Sequence, residues 1–271
     1  MPSIIRLESL DFSYPGREIF SDLSLSLEEG EILGVIGPNS SGKTTLLKLI
    51  DGLLQPRRGR VLLRGRDLKK IPRSETARCI AVVPQAVEVP FSFLVAEIVL
   101  MGRAPYLGRF SWEKEKDLKT AREAMVLTDV AGLENRPFLE LSQGEKQRVL
   151  IARALAQEAK VILLDEPTSH LDIKHQVEIN ELILRLNQEK NLTVVHVSHD
   201  LNLAAQYCHR MVLLHRGSIF SAGVPSEVIT EENIRRVYET KVLVEKNPLS
   251  GAPRITPLAK GRIENGGRQD L

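Results

Sequence analysis

Residues 31–36 read Glu-Ile-Leu-Gly-Val-Ile and run directly into Gly37-Pro38-Asn39-Ser40-Ser41-Gly42-Lys43-Thr44, after which Leu46, Leu47, Leu49 and Ile50 recur at helical spacing through Thr45–Leu53. A short apolar run reads as a strand buried on both faces. The order strand, glycine loop, helix is the context in which G-x-x-x-x-G-K-[ST] cradles a chain of phosphates. Gly37 and Gly42 let the backbone fold tightly enough for successive N–H groups to point inward, and the helix N-terminus adds partial positive charge. Lys43 is placed to reach β- and γ-phosphates, and the Thr44 hydroxyl to ligate Mg²⁺. The loop alone implies a nucleotide and no more, because GTPases, kinases and many ATPases share it.

Outward from this loop, Ile4–Leu10 and Leu23–Leu27 alternate as strands, and Arg60–Leu63 and Ile80–Val83 supply two more. Around Pro84–Gln85 the character changes, and from about Val95 to Ala156 the pattern is helical, including Trp112–Leu127. Buried strands return at Val161–Leu164, Leu192–Val197 and Met211–Leu214, alternating with helical His175–Glu189, Asp200–Tyr207 and Glu231–Tyr238. The expected fold class is α/β: a P-loop NTPase parallel-sheet core with an N-terminal antiparallel β subdomain and an inserted α-helical subdomain. Residues 1–258 are expected to form one domain, with the helical insertion over about 90–156 and 259–271 as a flexible tail.

Composition sets limits on this picture. The 37 basic and 35 acidic residues are interspersed, so bulk charge gives no sign of a nucleic-acid partner. Aromatics are 4%, so the core must be built of Leu, Ile, Val and Ala. Cys79 and Cys208 have no metal-type spacing and read as buried free thiols of a reducing compartment. The N-terminal stretch has no signal-peptide core, and no run of about 18 apolar residues occurs. A membrane role therefore requires a membrane-spanning partner.

Asp165-Glu166 follows the apolar strand Val161–Leu164. A carboxylate at the carboxyl end of a strand beside a phosphate loop is placed to hold the Mg²⁺ hydration shell, which points to Asp165. Glu166 can then act as general base on a water. The pair lies 122 residues after Lys43, too far for a minimal phosphate-loop unit, and the helical block fills the gap.

Leu141-Ser142-Gln143-Gly144-Glu145-Lys146-Gln147-Arg148 stands just upstream of that strand. With it the chain resembles the ATP-binding cassette (ABC) family, whose signature reads LSGGQ or LSGGE before a basic stretch and QR. Tyr14 matches the family's adenine-stacking aromatic, Gln85 its glutamine at the junction to the helical block, Ser169-His170-Leu171-Asp172 its D-loop, and His199 its switch histidine. The resemblance runs from about residue 4 to 258.

The resemblance implies an ATP hydrolase with Glu166, His199 and Gln85 as catalytic residues, and Thr44, Gln85 and Asp165 around Mg²⁺. It places ATP against Tyr14 and the loop Gly37, Pro38, Asn39, Ser40, Ser41, Gly42, Lys43, Thr44 and Thr45. It further implies a head-to-tail dimer in which Ser142, Gln143, Gly144, Glu145 and the D-loop Asp172 complete the site of the other copy. Two departures stand out. Ser40 and Gln143 occupy places the family usually gives to glycine; Ser40 costs about 1 kcal/mol or more if its position needs φ > 0. Neither removes a charged group, so an active ATPase is expected.

Several further stretches resemble the importers of ferric siderophores, haem and cobalamin: Gly102-Arg103-Ala104-Pro105, Ser169–Asp172 continuing into Ile173-Lys174-His175-Gln176, and Asp200-Leu201-Asn202. The implied partners are a second copy of the chain, a polytopic permease and, indirectly, a substrate-binding protein, with no nucleic acid. The implied place is the cytoplasmic face of the inner membrane. A different ABC importer, a separate-subunit exporter and a non-transport nucleotide-gated regulator stay open as alternatives.

Overall fold

A computed structural model describes residues 3–87, 91–108 and 112–258 of the chain. The strands are β1 (Ser3–Tyr14), β2 (Arg17–Glu28), β3 (Ile32–Ile36), β4 (Arg58–Leu63), β5 (Arg66–Asp67), β6 (Ile80–Val83), β7 (Val161–Asp165), β8 (Thr193–Val197), β9 (Arg210–His215), β10 (Ser218–Gly223), β11 (Val242–Lys246) and β12 (Pro253–Pro257). The α-helices are α1 (Lys43–Ile50), α2 (Arg73–Cys79), α3 (Val95–Leu100), α4 (Glu115–Leu127), α5 (Gln143–Ala156), α6 (Ile173–Lys190), α7 (Leu201–Tyr207), α8 (Pro225–Val228) and α9 (Glu231–Tyr238).

The six-stranded sheet has the order β10-β9-β3-β8-β7-β6, parallel throughout except for the edge strand β10. All five residues of β3 and of β8 are buried, which explains why they carry no polar alternation: a parallel strand is covered on both faces. Ile32 and Ile36 face the core shared with the helical block, while Leu33 and Val35 face the core shared with the antiparallel sheet β2-β1-β4-β5. The expected α/β architecture, parallel core and N-terminal antiparallel sheet are therefore all present. Gly34 is required by close packing, since a Cβ there would come within 2.8 Å of the Cys208 sulfur. Burial pushes that thiol up to about 12, whereas Cys79 is only half-buried, against the expectation for both cysteines.

The sheet order positions the chemistry. β3, β8, β7 and β6 are successive neighbours and parallel, so the segments that leave their carboxyl ends converge on one edge. Those segments carry the glycine loop, His199, Asp165-Glu166 and Gln85. The helix expected from Trp112 begins only at Glu115, where Asp117 accepts from the Lys114 N–H as an N-terminal cap; Trp112 is left 87% exposed. The β11–β12 hairpin and β10 were not expected from the sequence, and the tail beyond residue 258 lies outside the described residues.

His196 lies within β8, fully buried, and its Nε2 has no hydrogen-bond partner among the described residues. Burial disfavours the imidazolium and lowers its pKa to about 4. Below about pH 6.5 the unfolded chain takes up a proton that the folded chain refuses, so stability falls with pH by up to about 1.4 kcal/mol per unit. Denaturant titrations at pH 7 and pH 5 are expected to show this loss, and His196→Leu to reduce it; an unchanged acid slope in the variant would remove His196 as its source.

Candidate active site

The glycine loop closes over itself. Lys43 Nζ donates to the carbonyls of Gly37 at 2.9 Å and Pro38 at 3.1 Å, and the Ser41 N–H donates to Pro38 O at 3.2 Å. Side chains are excluded at both glycines: a Cβ on Gly37 would lie 2.5 Å from Leu214 O, and one on Gly42 would lie 2.7 Å from the Phe20 ring. Both also have positive φ, 152° and 101°. Burial drives the Lys43 ammonium downward while the carboxylates of Glu166 and Asp165 oppose it. The Ser41 hydroxyl is buried without a hydrogen-bond partner among the described residues. The loop thus holds a desolvated cation and an unsatisfied hydroxyl within a ring of backbone, the arrangement an anionic phosphate satisfies.

Next to the loop is a cavity of about 280 Å³ lined by Tyr14, Arg17, Ile19, Asn39, Ser40, Gly42, Lys43, Thr44, Thr45, Glu166 and His199. Tyr14 is 36% exposed and stands edge-on to Phe12 at 5.1 Å, leaving its ring available at the mouth. Sequence reading missed Arg17, which pairs across the hairpin with Tyr14 and whose guanidinium donates to Ser40 O at 3.3 Å. Only the β1–β2 register brings it to the loop, and the signal available was the Pro15-Gly16 turn. Tyr238 was also missed as a site element: it is half-buried beside the loop, burial pushes its phenol up to about 12, and a hydrogen bond from the Gly37 backbone opposes that shift.

The acidic residues take distinct positions. Thr44 Oγ1 donates to Asp165 Oδ1 at 3.2 Å, and burial raises the Asp165 pKa despite that bond. Hydroxyl, half-buried carboxylate and the amide of Gln85 are hard oxygen donors, a set that fits Mg²⁺, and a divalent cation would offset the desolvation of Asp165. Glu166 follows with φ 53°, a left-handed turn that swings its carboxylate off the line of β7. Its Oε1 lies 2.5 Å from His199 Nε2, and its Oε2 accepts from Gln85 Nε2 at 3.0 Å. Gln85 also reaches Ser169 Oγ at 3.4 Å. A carboxylate bridging a histidine and an amide at the rim of a phosphate cavity can hold and deprotonate a water there.

The signature residues do not line this cavity. Ser142 caps α5, accepting from the Glu145 N–H at 3.3 Å, while Glu145 accepts from the Ser142 N–H at 2.8 Å in a reciprocal box. Gly144 packs under His175, whose ring a Cβ would meet at 2.7 Å. Asp172 caps α6 and accepts from His175 N at 2.9 Å. Both are thus outside their own chain's loop cavity.

The two departures differ in kind. Ser40 has φ 67°, so its position is left-handed, whereas Gln143 is the first residue of α5 and has no positive φ. Ser40→Gly relieves roughly 1 kcal/mol of left-handed strain, but it adds about 0.4–1 kcal/mol of unfolded-chain entropy. The expected outcome is a melting free energy within about 0.5 kcal/mol of wild type and retained ATP turnover. A rise in turnover of tenfold or more would show that Ser40 impedes the loop.

Comparison with known proteins agrees with the geometry. The family described as "ABC transporter" matches residues 20–169. The chain is 42% identical over 249 residues to the cobalamin import ATP-binding protein of Halobacterium salinarum; the match covers 92% of this chain and 62% of that protein's length, so the relative has a large part this chain does not match. It is 36% identical over 256 residues to the ferric enterobactin transport ATP-binding protein of Escherichia coli, covering 94% of each. Among solved structures, a chain from a transporter assigned to the metal-chelate ABC type, in an inward-facing conformation, superposes with TM-score 0.86 at 32% identity, covering 97% of this chain and all of that one. A dimeric bacterial ABC cassette superposes with TM-score 0.71 at 30% identity, covering 81% of this chain and 98% of that one.

Proposed function

The chain belongs to the ABC transporter family, and from that premise we propose that it is the ATP-hydrolysing subunit of an importer for a metal chelate or cobalamin. The observation that carries the reading is the Glu166 carboxylate, held between His199 and Gln85 at the rim of the phosphate-loop cavity.

In the proposed mechanism ATP enters with its adenine against Tyr14 and its phosphates within the loop Gly37–Thr45. Lys43 exchanges its loop carbonyls for β- and γ-phosphate oxygens, recovering the solvation that burial removed. Thr44, Asp165 and Gln85 would hold Mg²⁺, which when bound neutralises charge building on the phosphate oxygens. Glu166 takes the proton from the attacking water, and His199 fixes the orientation of that carboxylate and touches the γ-phosphate. Ser142 and the N–H groups of Gln143, Gly144 and Glu145, at the N-terminus of α5, serve the nucleotide of a second copy, with Asp172 beside them. Because these contacts exist only in the closed pair, ATP binding favours closure and product release reverses it.

Residues 1–258 act in this reading as one ATPase domain, with the helical insertion over about 90–156. No helix among the described residues is long and apolar enough to cross a membrane. The subunit therefore works through a polytopic permease, which in turn receives cargo from a binding protein at the other face. The surface from Gln85 to Tyr106 is the proposed permease contact: Phe91 is 70% exposed, whereas Phe93 and Leu94 are partly buried, and Phe93 packs on the core. Val89, expected beside them, lies outside the described residues. Uptake of labelled ferric siderophore, haem or cobalamin in a deletion strain tests the proposal. Wild type restores uptake and Glu166→Gln does not; restoration by both, or by neither with ATPase intact, sinks it.

A further inference from the structure

Residues 57–78 hold nine of the chain's 37 lysines and arginines but only two of its 35 acidic residues, Asp67 and Glu75, so outside this stretch acids outnumber bases. All nine are exposed. Arg60, Arg66 and Arg73 are paired with Glu8, Glu75 and Asp51, and Arg78 donates to Pro105 O. Arg57, Arg58, Arg64, Lys69 and Lys70 make no side-chain hydrogen bond or ion pair among the described residues. They sit on β4, on the turns beside it and on the short helical turn after β5, at the outer edge of the antiparallel sheet. Arg57, Arg60, Lys69 and Arg73 line a cavity of about 350 Å³ together with the half-buried Leu54 and the buried Ile71, with Asp51 and Asp67 as its acids.

We propose that this edge of the antiparallel sheet binds the anionic headgroups of a phospholipid leaflet. Five cations without a side-chain partner among the described residues, two of which (Arg57 and Lys69) line an amphipathic cavity, match a surface that presents dense phosphate over an apolar interior. Nucleic acid fits less well. The stretch has no aromatic or histidine side chain on which a base could stack, and α2 is too short to enter a groove. A permease loop fits less well too, since cytoplasmic loops of membrane proteins carry an excess of lysine and arginine and repel a basic surface. The choice of lipid over other polyanions rests on the transporter reading. The function it adds is a second hold on the membrane, independent of the permease, that orients the subunit on the leaflet.

The test uses the isolated full chain without nucleotide, co-sedimented with vesicles of phosphatidylglycerol and phosphatidylcholine or of phosphatidylcholine alone. Binding is expected only to the anionic vesicles, and is expected to be lost at 0.5 M salt because exposed charges are screened. Each surface cation strengthens partition by roughly fivefold, so R57S/R58S/R64S/K69S/K70S together are expected to weaken it at least a hundredfold. ATP hydrolysis and the melting temperature of that variant stay as in wild type, since none of the five lines the phosphate-loop cavity or makes a side-chain hydrogen bond or ion pair among the described residues. If the fivefold variant does not fold, the R57S/R58S and K69S/K70S pairs are each expected to weaken binding more than tenfold. Equal sedimentation with both vesicle types, undiminished binding by the variants, or tighter retention of random-sequence DNA than of anionic vesicles overturns the proposal. A chain that binds vesicles but hydrolyses no ATP sinks the ATPase reading and leaves this one standing.

Discussion

Glu166→Gln is expected to lower ATP turnover by about 10²–10⁴-fold, the range that removal of a general base produces, while ATP binding is retained. Glutamine is isosteric, so the geometry around it survives. Its amide oxygen can accept from Gln85 Nε2, as Glu166 Oε2 does now at 3.0 Å, and its NH₂ can donate to His199 Nε2 in place of the present 2.5 Å contact. The variant therefore keeps position 166 in place and removes only the ability to take a proton. The kinetic signature follows: kcat falls and KM changes little, because the lost interaction acts in the transition state. His199→Gln retains the carboxylate but loosens its orientation, so a smaller fall is expected. Phosphate release measured at saturating ATP, with nucleotide binding followed separately, checks both. A Glu166→Gln turnover within tenfold of wild type would remove Glu166 as the base.

Much of this site was legible because each of its parts sits where a strand ends. The apolar runs 32–36, 80–83, 161–164 and 193–197 are buried on both faces or nearly so, and each is followed by a residue with a chemical task. Which strands adjoin is not written in any one run: β3 lies beside β8, not beside the next parallel strand in sequence, β6, at the far edge. The β3–β8 pairing brings His199 to the glycine loop, and the β7–β8 pairing brings it to Glu166. Arg17 was invisible for the same reason, since an arginine in a polar strand acquires a role only when its hairpin register sets it beside the loop. The condition attached to Ser40, that it matters if φ is positive, could be stated from the sequence but required the backbone to settle, and the backbone has φ 67°. The β11–β12 hairpin is hard to read from sequence because its strands, VLVEK and PRITP, show no sustained alternation and bury only Val242 and Ile255. Strand alternation is weak where only one or two side chains face a core.

Arg103 carries the second large prediction, since its sequence context points to cargo and its surroundings point to stability. It belongs to the Gly102-Arg103-Ala104-Pro105 stretch that resembles the metal-chelate and cobalamin importers, yet it is 1% exposed and touches nothing in the ATP cavity. Its Nε donates to Asp117 at 2.9 Å, its Nη1 to Ala156 O and to Glu158, each at 2.7 Å, and its guanidinium lies 4.0 Å from the centre of the Tyr106 ring. One planar cation thereby ties the start of α4 to the end of α5, and Gly102 beside it packs so tightly that a Cβ would meet Arg153 O at 2.2 Å. Arg103→Met strands the buried Asp117 carboxylate and the Ala156 carbonyl, and removing one partner of a buried pair costs about 3–5 kcal/mol. That is a large share of the roughly 5–15 kcal/mol that holds a typical domain. Lysine is not a remedy, because a single ammonium cannot span three acceptors in the guanidinium plane. Adding Asp117→Asn to Arg103→Met removes the stranded charge and is expected to recover part of the loss. Denaturant unfolding of the four members of that cycle measures it. Additive losses would mean that the two side chains do not depend on each other, and Arg103 would then be a packing residue whose charge is incidental.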